Sequence, residues 1–341
     1  MAKTMRAAVV RELGKPLTIE EMPIPTPGSG ELLIKVVATG VCHTDLHARD
    51  GDWPVKPKPP FVPGHEGVGV VTASGPGVTG FKEGDEVGVA WLRDACGDCE
   101  YCRTGWDSLC QTQNNTGYSV NGSFAEYVIG AARYVGRLPS QPDFAALAPI
   151  LCAGVTTYKG IKETDTKPGE WIAISGVGGL GQLAIQYAKA MGLYVAALDV
   201  TEEKLALART SGADVAVNAK APDAAAQIVR HTGGGVHGAL VTAVSPPAFS
   251  QAIHMVRRKG TIALVGLPPG EFPTPIFEVV LGRITLRGSI VGGRQDLAEA
   301  IAFASAGKVR STIHTKQLDD INQVFADLKA GRVDGRIVLM L

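Results

Sequence analysis

The chain has 341 residues, which at roughly 150 residues per domain gives a prior of two domains, each large enough to bury its own core. Hydrophobic residues make up 45% and charged residues 19%, which excludes intrinsic disorder, and 33 Lys plus Arg balance 33 Asp plus Glu, so no general field attracts nucleic-acid phosphates or anionic lipid. Glycine, at 42 residues, is about 12% of the chain against a usual 7% or so, without a collagen-like period, and signals many tight turns and close backbone approaches.

No run approaches the eighteen or so uninterrupted apolar residues that a membrane helix needs; the best, 171–180, is short and glycine-rich. The apolar run 7–10 is too brief for a signal-peptide core and meets Arg11, Glu12 and Lys15 at once. The expectation is therefore a cytoplasmic protein with neither a membrane nor a nucleic-acid partner.

Along the chain, the β-like runs 5–11, 32–39 and 68–74 are separated by Pro and Gly clusters and predict an irregular, mostly antiparallel β domain. From Trp171 onward strands and helices alternate, with strand-like runs at 171–175, 194–199, 215–218, 238–242, 260–265 and 285–290. Between the first two, Leu180, Leu183, Ala184, Tyr187, Ala188 and Met191 recur at intervals of three and four, as one face of a helix requires. Six strands with crossover helices imply an α/β fold with a doubly wound parallel sheet. After Val291 the pattern is helix, break, helix, closing on the β-like run 336–341. The division expected is a β-rich domain over 1–153, to which 291–341 returns, and an alternating strand–helix domain over 154–290.

Four of the six cysteines, Cys96, Cys99, Cys102 and Cys110, follow C-X2-C-X2-C-X7-C. Thiolates so spaced can surround one Zn²⁺ tetrahedrally and leave no open position, which makes a structural site. The same ligands could hold an iron–sulfur cluster. Gly97, Asp98, Glu100 and Arg103 make the segment too polar for a buried core, and in a reducing compartment the clustering favours a metal over disulfides.

Gly176, Gly178 and Gly181 form Gly-X-Gly-X-X-Gly, enclosing Gly179 and Leu180, at the junction of a predicted strand and helix. Such a turn brings backbone N–H groups against a pyrophosphate at the positive end of the helix. Asp199 closes the next strand, where a carboxylate accepts hydrogen bonds from the adenosine ribose hydroxyls and repels a 2′-phosphate. The pair points to NAD rather than NADP.

Cys42 and Cys152 remain, with His43, His47 and His65. Spacing alone does not show that Cys42, His65 and Cys152 meet; taken singly, each reads as a packed cysteine or a surface histidine. Together, two thiolates and an imidazole would neutralise Zn²⁺ and leave a fourth position for a substrate oxygen.

Three segments carry a resemblance: Cys42-His43-Thr44-Asp45-Leu46-His47, Gly64-His65-Glu66-X2-Gly69-X5-Gly75-X2-Val78 and Cys152-Ala153-Gly154-Val155-Thr156-Thr157. With the four-cysteine lobe and the Gly176 turn in the same order, the sequence resembles the zinc-dependent medium-chain alcohol dehydrogenases over almost its whole length, nearest their compact bacterial and yeast NAD-dependent branch. The resemblance implies a Rossmann domain and a mainly β, GroES-like catalytic domain. It also implies reversible, NAD-dependent oxidation of small primary alcohols to aldehydes, and of some secondary alcohols to ketones.

Two zinc ions per chain follow from the same resemblance. Cys42, His65 and Cys152 would hold the catalytic one, with Glu66 behind it as an exchangeable ligand, and the four-cysteine lobe would hold the structural one. Asp45 is similar to the carboxylate that orients the His65 ring. Thr44 takes the place of the hydroxyl beside the bound alcohol, and His47 that of the outer member of a proton relay through the nicotinamide ribose. His43 matches a basic position near the pyrophosphate where many relatives carry Arg. Lys204 and Arg336 resemble adenosine-ribose and pyrophosphate contacts, and Thr156, Val265, Leu267 and Val291 complete the implied cofactor site with the glycine turn. Trp53 and Trp91 match positions that line the alcohol pocket, which they would narrow.

Asn121 and Asp94 depart from the family pattern, but neither is an implied zinc ligand or proton carrier. Relatives of this type imply a homo-oligomer, a tetramer. One rival shares fold and metals, a zinc-dependent polyol or aromatic-alcohol dehydrogenase, and differs only in substrate profile. Thr44 and His47 argue against a cofactor-binding scaffold without turnover, and a zinc-free quinone reductase would have no use for either ligand set.

Overall fold

An eleven-residue strand, Glu31–Val41, organises the first part of the chain, with Leu32, Ile34 and Val36 turned inward and Lys35 outward. It pairs antiparallel with Gly67–Ser74, with Tyr127–Ala131 and, near its far end, with the C-terminal strand Arg336–Met340. Ile337 lies opposite Val41 in that register, which puts Arg336 next to Cys42. The seven-stranded sheet is mostly antiparallel, and a separate hairpin pairs Thr4–Val9 with Thr18–Pro23. Val71, Val87, Val89 and Val128 close over the inward face of Glu31–Val41. Each such burial is worth about 1.5–3 kcal/mol.

The computed structural model describes residues 3–341, and the chain divides into two units. The first holds the chain up to Cys152 with Gly293–Ser305 and Ser311–Leu341; the second holds Ala153–Gly292 with Ala306–Arg310. The short Ala306–Arg310 segment is tied to its unit by reciprocal bonds: Gln186 Nε2 donates to the Arg310 carbonyl at 2.9 Å, and the Arg310 N–H donates to Gln186 Oε1 at 2.8 Å.

In the second unit six strands lie side by side in the order Val215–Asn218, Tyr194–Asp199, Trp171–Ser175, Val236–Val241, Val256–Leu264, Thr285–Gly288, all parallel. This is the doubly wound sheet that the alternation predicts. Chain order reverses between Trp171–Ser175 and Val236–Val241, and sheets of this kind bind ligands beyond the carboxyl ends of the strands at that point. The Gly176 turn starts there.

The helix Gly181–Ala190 buries Leu183, Ala184, Tyr187 and Ala188 completely, as its spacing predicts. Gln182 and Ile185 are buried as well, because the helix packs on the sheet and on the helix Ala153–Lys162, where Tyr187 and Tyr158 meet with ring centroids 5.5 Å apart.

Two elements differ from the sequence pattern. The fifth strand begins at Val256 rather than at the predicted 260, because its start is the charged stretch Arg257-Arg258-Lys259. A register shift and a positive φ of 66° at Lys259 mark a bulge there, and only the apolar part beyond it looks like a strand in sequence. The break predicted after the helix Arg294–Ser305 contains a strand, Ile313–Gln317, parallel to Arg336–Met340. It is a sheet edge with four of five residues exposed, so it shows no hydrophobic alternation. Among the described residues no single helix is long and apolar enough to cross a membrane.

Candidate active site

Cys42 caps the helix His43–Asp50 at the end of the long strand. The third helical residue, Asp45, is 1% exposed and spends its carboxylate three ways. Oδ2 accepts the Cys42 N–H at 2.8 Å, while Oδ1 accepts the Gly64 N–H at 3.1 Å and the His65 Nδ1–H at 2.8 Å. The oxygen that accepts the Gly64 N–H accepts from the ring as well, so Nδ1 carries the ring hydrogen and Nε2 keeps its lone pair.

That Nε2 is buried and has no hydrogen-bond partner among the described residues. One potential ligand atom from each of Cys42, His65, Glu66 and Cys152 lies within 4.8 Å of the others. Cys152 arrives from the end of the short helix Ala148–Leu151. The Cys42 thiol is drawn well below its ordinary value by hydrogen bonding with Cys152, and Cys152 is pushed up by the same bond and by burial, the pattern of two thiols sharing one proton. An orphaned imidazole nitrogen facing two sulfurs is a donor set that fits a Zn²⁺ ion.

Behind the cluster, Glu66 is fully buried and Arg336 is 5% exposed. An Arg336 Nη2–H donates to Glu66 Oε1, while Glu66 Oε2 has no partner among the described residues. Burial raises the Glu66 carboxyl above its usual range, against the opposing pull of Arg336. The free Oε2 fits only because residue 40 is glycine: a Cβ there would overlap it.

Thr44 and His47 lie three apart on the His43–Asp50 helix, hence on one face, and His43 is exposed at its start. Trp91 stands edge-on to His65, with ring centroids 5.4 Å apart at 84°. Trp53 stacks on His47 at 5.2 Å and meets Trp91 at 6.4 Å. Both indoles are partly buried and pack against the core. Tyr118 joins them, 5.8 Å from Trp53 and 5.4 Å from Trp91, with its hydroxyl donating to the Val55 carbonyl. Sequence reasoning does not single out Tyr118, because an isolated tyrosine in a glycine-rich loop carries no signal.

Cys96, Cys99, Cys102 and Cys110 also bring their sulfurs within 4.8 Å of one another. Cys96 Sγ accepts the N–H groups of Asp98 and Cys99 at 3.5 and 3.4 Å, and Gly97 turns between them at φ 80°. Backbone N–H bonding draws the Cys110 thiol down to about 6, while burial pushes Cys102 up to about 12. A divalent cation resolves that disparity by holding all four as thiolates. The lobe is tied down where Arg294 Nε–H donates to the buried Asp107 at 3.1 Å.

In the second unit Gly176 has φ 96°, and a Cβ there would press on the Ala243 backbone at 2.8 Å; a Cβ on Gly181 would overlap the Gly176 carbonyl. Nothing lies within 4 Å of the place a Gly178 Cβ would take, which leaves open space over the turn. Leu180 precedes the helix without a side-chain cap, and the Gln182 and Leu183 N–H groups donate instead to the Gly178 and Leu180 carbonyls at 3.2 and 3.0 Å. Asp199 Oδ2 accepts the Val177 N–H at 2.7 Å and Oδ1 the Val200 N–H at 2.6 Å, so this carboxylate holds the turn itself. Lys204 is the third residue of the helix Glu202–Thr210, Thr156 is buried in Ala153–Lys162, and Val265 follows the fifth strand. Leu267 is exposed, and Val291 sits at φ 40°. Arg336 and His43 belong to the first unit, where the Arg336 guanidinium is on Glu66.

Comparison with known proteins agrees with this geometry. Residues 28–140 match the family described as alcohol dehydrogenase GroES-like domain, and residues 179–306 match that described as zinc-binding dehydrogenase. An alcohol dehydrogenase of Rhizobium meliloti is 61% identical over 338 residues, 99% of each chain, and one of Geobacillus stearothermophilus is 54% identical over 98% of this chain and 99% of its own. Among solved structures, the alcohol dehydrogenase of the hyperthermophilic archaeon Aeropyrum pernix is similar with a TM-score of 0.89 and 37% identity, covering 98% of this chain and 100% of that one. An acetophenone reductase from Geotrichum candidum in complex with NAD is similar with a TM-score of 0.88 and 30% identity over 100% of this chain and 98% of its own. With a buried thiolate–imidazole donor set, a four-cysteine lobe, a glycine turn on a doubly wound sheet and relatives matched from end to end, the chain belongs to the zinc-dependent medium-chain alcohol dehydrogenase family.

Proposed function

We propose that this chain oxidises small unbranched primary alcohols to aldehydes, reversibly, and some secondary alcohols to ketones, with NAD as coenzyme. The observation that carries the reading is the orphaned His65 Nε2 facing Cys42 and Cys152 beside the Trp91 ring. Curated relatives at 52–61% identity are named alcohol dehydrogenases, which supports this reading over a polyol one.

Bound zinc supplies Lewis acidity toward an alcohol oxygen, and bound NAD supplies the hydride acceptor. The chain's own part is to hold and orient. Cys42, His65 and Cys152 hold the catalytic metal, and Asp45 keeps His65 Nε2 free of hydrogen. Glu66, with the room Gly40 leaves it, is the exchangeable fourth ligand. Thr44 would accept the hydrogen bond of the substrate hydroxyl and pass its own proton on through the nicotinamide ribose to His47, and Trp53 and Trp91 would limit the width of the alcohol. Cys96, Cys99, Cys102 and Cys110 hold the second, structural zinc.

Gly176, Gly178, Gly179, Leu180 and Gly181 receive the pyrophosphate, Asp199 and Lys204 the adenosine ribose, and Thr156, Val265, Leu267 and Val291 the remainder of the coenzyme. We assign the catalytic domain to 1–153 with 291–341 and the coenzyme domain to 154–290. Self-association is part of the reading, with a tetramer the state implied by the family. Thr285–Gly288 is the end strand of its sheet, and the helix Ile276–Gly282, which packs on the adjacent strand Val256–Leu264, exposes Ile276, Phe277, Val280 and Leu281, a face suited to a second copy.

Metal analysis of the purified chain with an absorbance assay for NADH over ethanol, 1-butanol, 2-propanol and benzyl alcohol tests the function. Two zinc ions per chain and fastest turnover of the short primary alcohols are expected. A fully zinc-loaded protein that forms no NADH from any of the four would overturn it.

A further inference from the structure

Gly51 ends the His43–Asp50 helix in the left-handed region, φ 64° and ψ 33°, and its N–H donates to the His47 carbonyl at 2.8 Å. Only glycine suits this position: φ is positive, and a Cβ would lie 2.7 Å from Leu13 Cδ1. The reversal sends the next residue back along the last helical turn, where the Asp52 carboxylate takes His47 Nδ1 at 2.9 and 3.1 Å. Trp53 then lays its indole on the imidazole at 5.2 Å, with the planes 23° apart. Three consecutive residues thus set the ring: Gly51 turns the chain, Asp52 engages one nitrogen, Trp53 fixes the plane.

A carboxylate only accepts hydrogen bonds, so His47 Nδ1 must carry the ring hydrogen, and a neutral imidazole then has its lone pair at Nε2. The arrangement repeats the one at His65, where Asp45 holds Nδ1 and leaves Nε2 as the donor atom. His65 is buried for a metal, whereas the His47 and Asp52 side chains are 36% and 51% exposed, open to water and buffer.

We propose that Asp52 is the positioning residue of proton transfer: it selects the His47 tautomer with a free Nε2 and stabilises the imidazolium formed when Nε2 takes a proton. The inference rests on the relay role given to His47 above. The balance is simple: a proton released from the alcohol hydroxyl bonds to Nε2, the imidazolium passes a proton to water or buffer, and Asp52 remains a carboxylate throughout, as the orienting acid of a catalytic triad does.

The test uses zinc-loaded Asp52→Ala, Asp52→Asn, His47→Gln and the Asp52→Ala, His47→Gln double variant, with ethanol and NAD. Side-chain ¹⁵N spectra should show the Nδ1–H tautomer of His47 in the parent and a shift toward Nε2–H in Asp52→Ala. General acid–base groups contribute about 10² to 10⁴ in rate, so a partial loss of orientation should lower kcat about tenfold in both Asp52 variants. KM for NAD should hold, and small imidazole buffers should restore part of the rate. The double variant should be no slower than His47→Gln alone, because both changes remove the same function. If His47→Gln slows turnover while Asp52→Ala leaves rate and tautomer unchanged, the inference is overturned and the relay reading stands. If His47→Gln turns over at the parental rate, the relay reading fails and takes the inference with it.

Discussion

Arg336 and Glu66, 270 residues apart in sequence, form an ion pair at 5% and 0% exposure directly behind the Cys42, His65 and Cys152 side chains. Removing one partner of such a pair leaves a buried charge without compensation and costs about 3–5 kcal/mol. Arg336→Met should therefore lower stability by several kcal/mol in urea denaturation, and adding Glu66→Gln should recover part of it. A single variant as stable as the parent would show that the pair contributes nothing to the fold.

The two cysteine sites should respond differently to loss of a ligand. Cys42→Ser should abolish alcohol oxidation and leave a folded chain, because the metal site proposed at Cys42 would serve substrate rather than the fold. Cys99→Ser should lower the melting temperature and the zinc content together, since a structural zinc contributes folding free energy directly. Melting curves, zinc analysis and activity on both variants decide it; retained activity in Cys42→Ser would remove that residue from the catalytic set.

Asp199 carries two kinds of bond, so its variants should separate them. Asp199→Gly loses the acceptor for the Val177 N–H as well as the charge, and should both destabilise the turn and raise the NADP to NAD ratio of kcat/KM. Asp199→Asn keeps an acceptor oxygen and should spare stability more than it spares NAD preference. A hydrogen bond to a charged group is worth about 1.5–3 kcal/mol, so kcat/KM for NAD should fall by at least about tenfold. An unchanged coenzyme preference in both variants would place the ribose elsewhere.

Trp91 touches His65 edge-on and is braced by Trp53 and Tyr118. Trp91→Ala should raise kcat/KM for 2-propanol and benzyl alcohol relative to ethanol by about tenfold, since exclusion by overlap is steeper than the roughly 1–3 kcal/mol that one methylene gains by fitting. Tyr118→Phe, which loses only the bond to the Val55 carbonyl, should relax the same selectivity more weakly. Equal losses on all four alcohols with a lowered melting temperature would make Trp91 a core residue alone.

The exposed helix Ile276–Gly282 offers a test of assembly. Phe277→Glu puts a charge on its apolar face and should shift the mass measured by light scattering toward a smaller species. An unchanged mass would move the interface elsewhere.

Features made within one stretch of chain are legible in the sequence by itself. The four cysteines between 96 and 110 share one lobe, the Gly176 turn joins a strand to the helix that follows it, and Leu183, Ala184, Tyr187 and Ala188 betray a buried helix face, because each depends on spacing along a short segment. The doubly wound sheet follows from the alternation of such segments. Cys42, His65 and Cys152 can be named together only through a family resemblance, since their meeting requires the long strand, its cross-strand partners and a short helix to converge. Nothing local marks Tyr118 as part of the aromatic wall, Asp52 as the partner of His47, Arg336 as the partner of Glu66, or Ile313–Gln317 as an edge strand. Those relationships are decided by strand register, helix termination and burial, and periodicity along the chain reports the face a residue turns, not the residue it meets there.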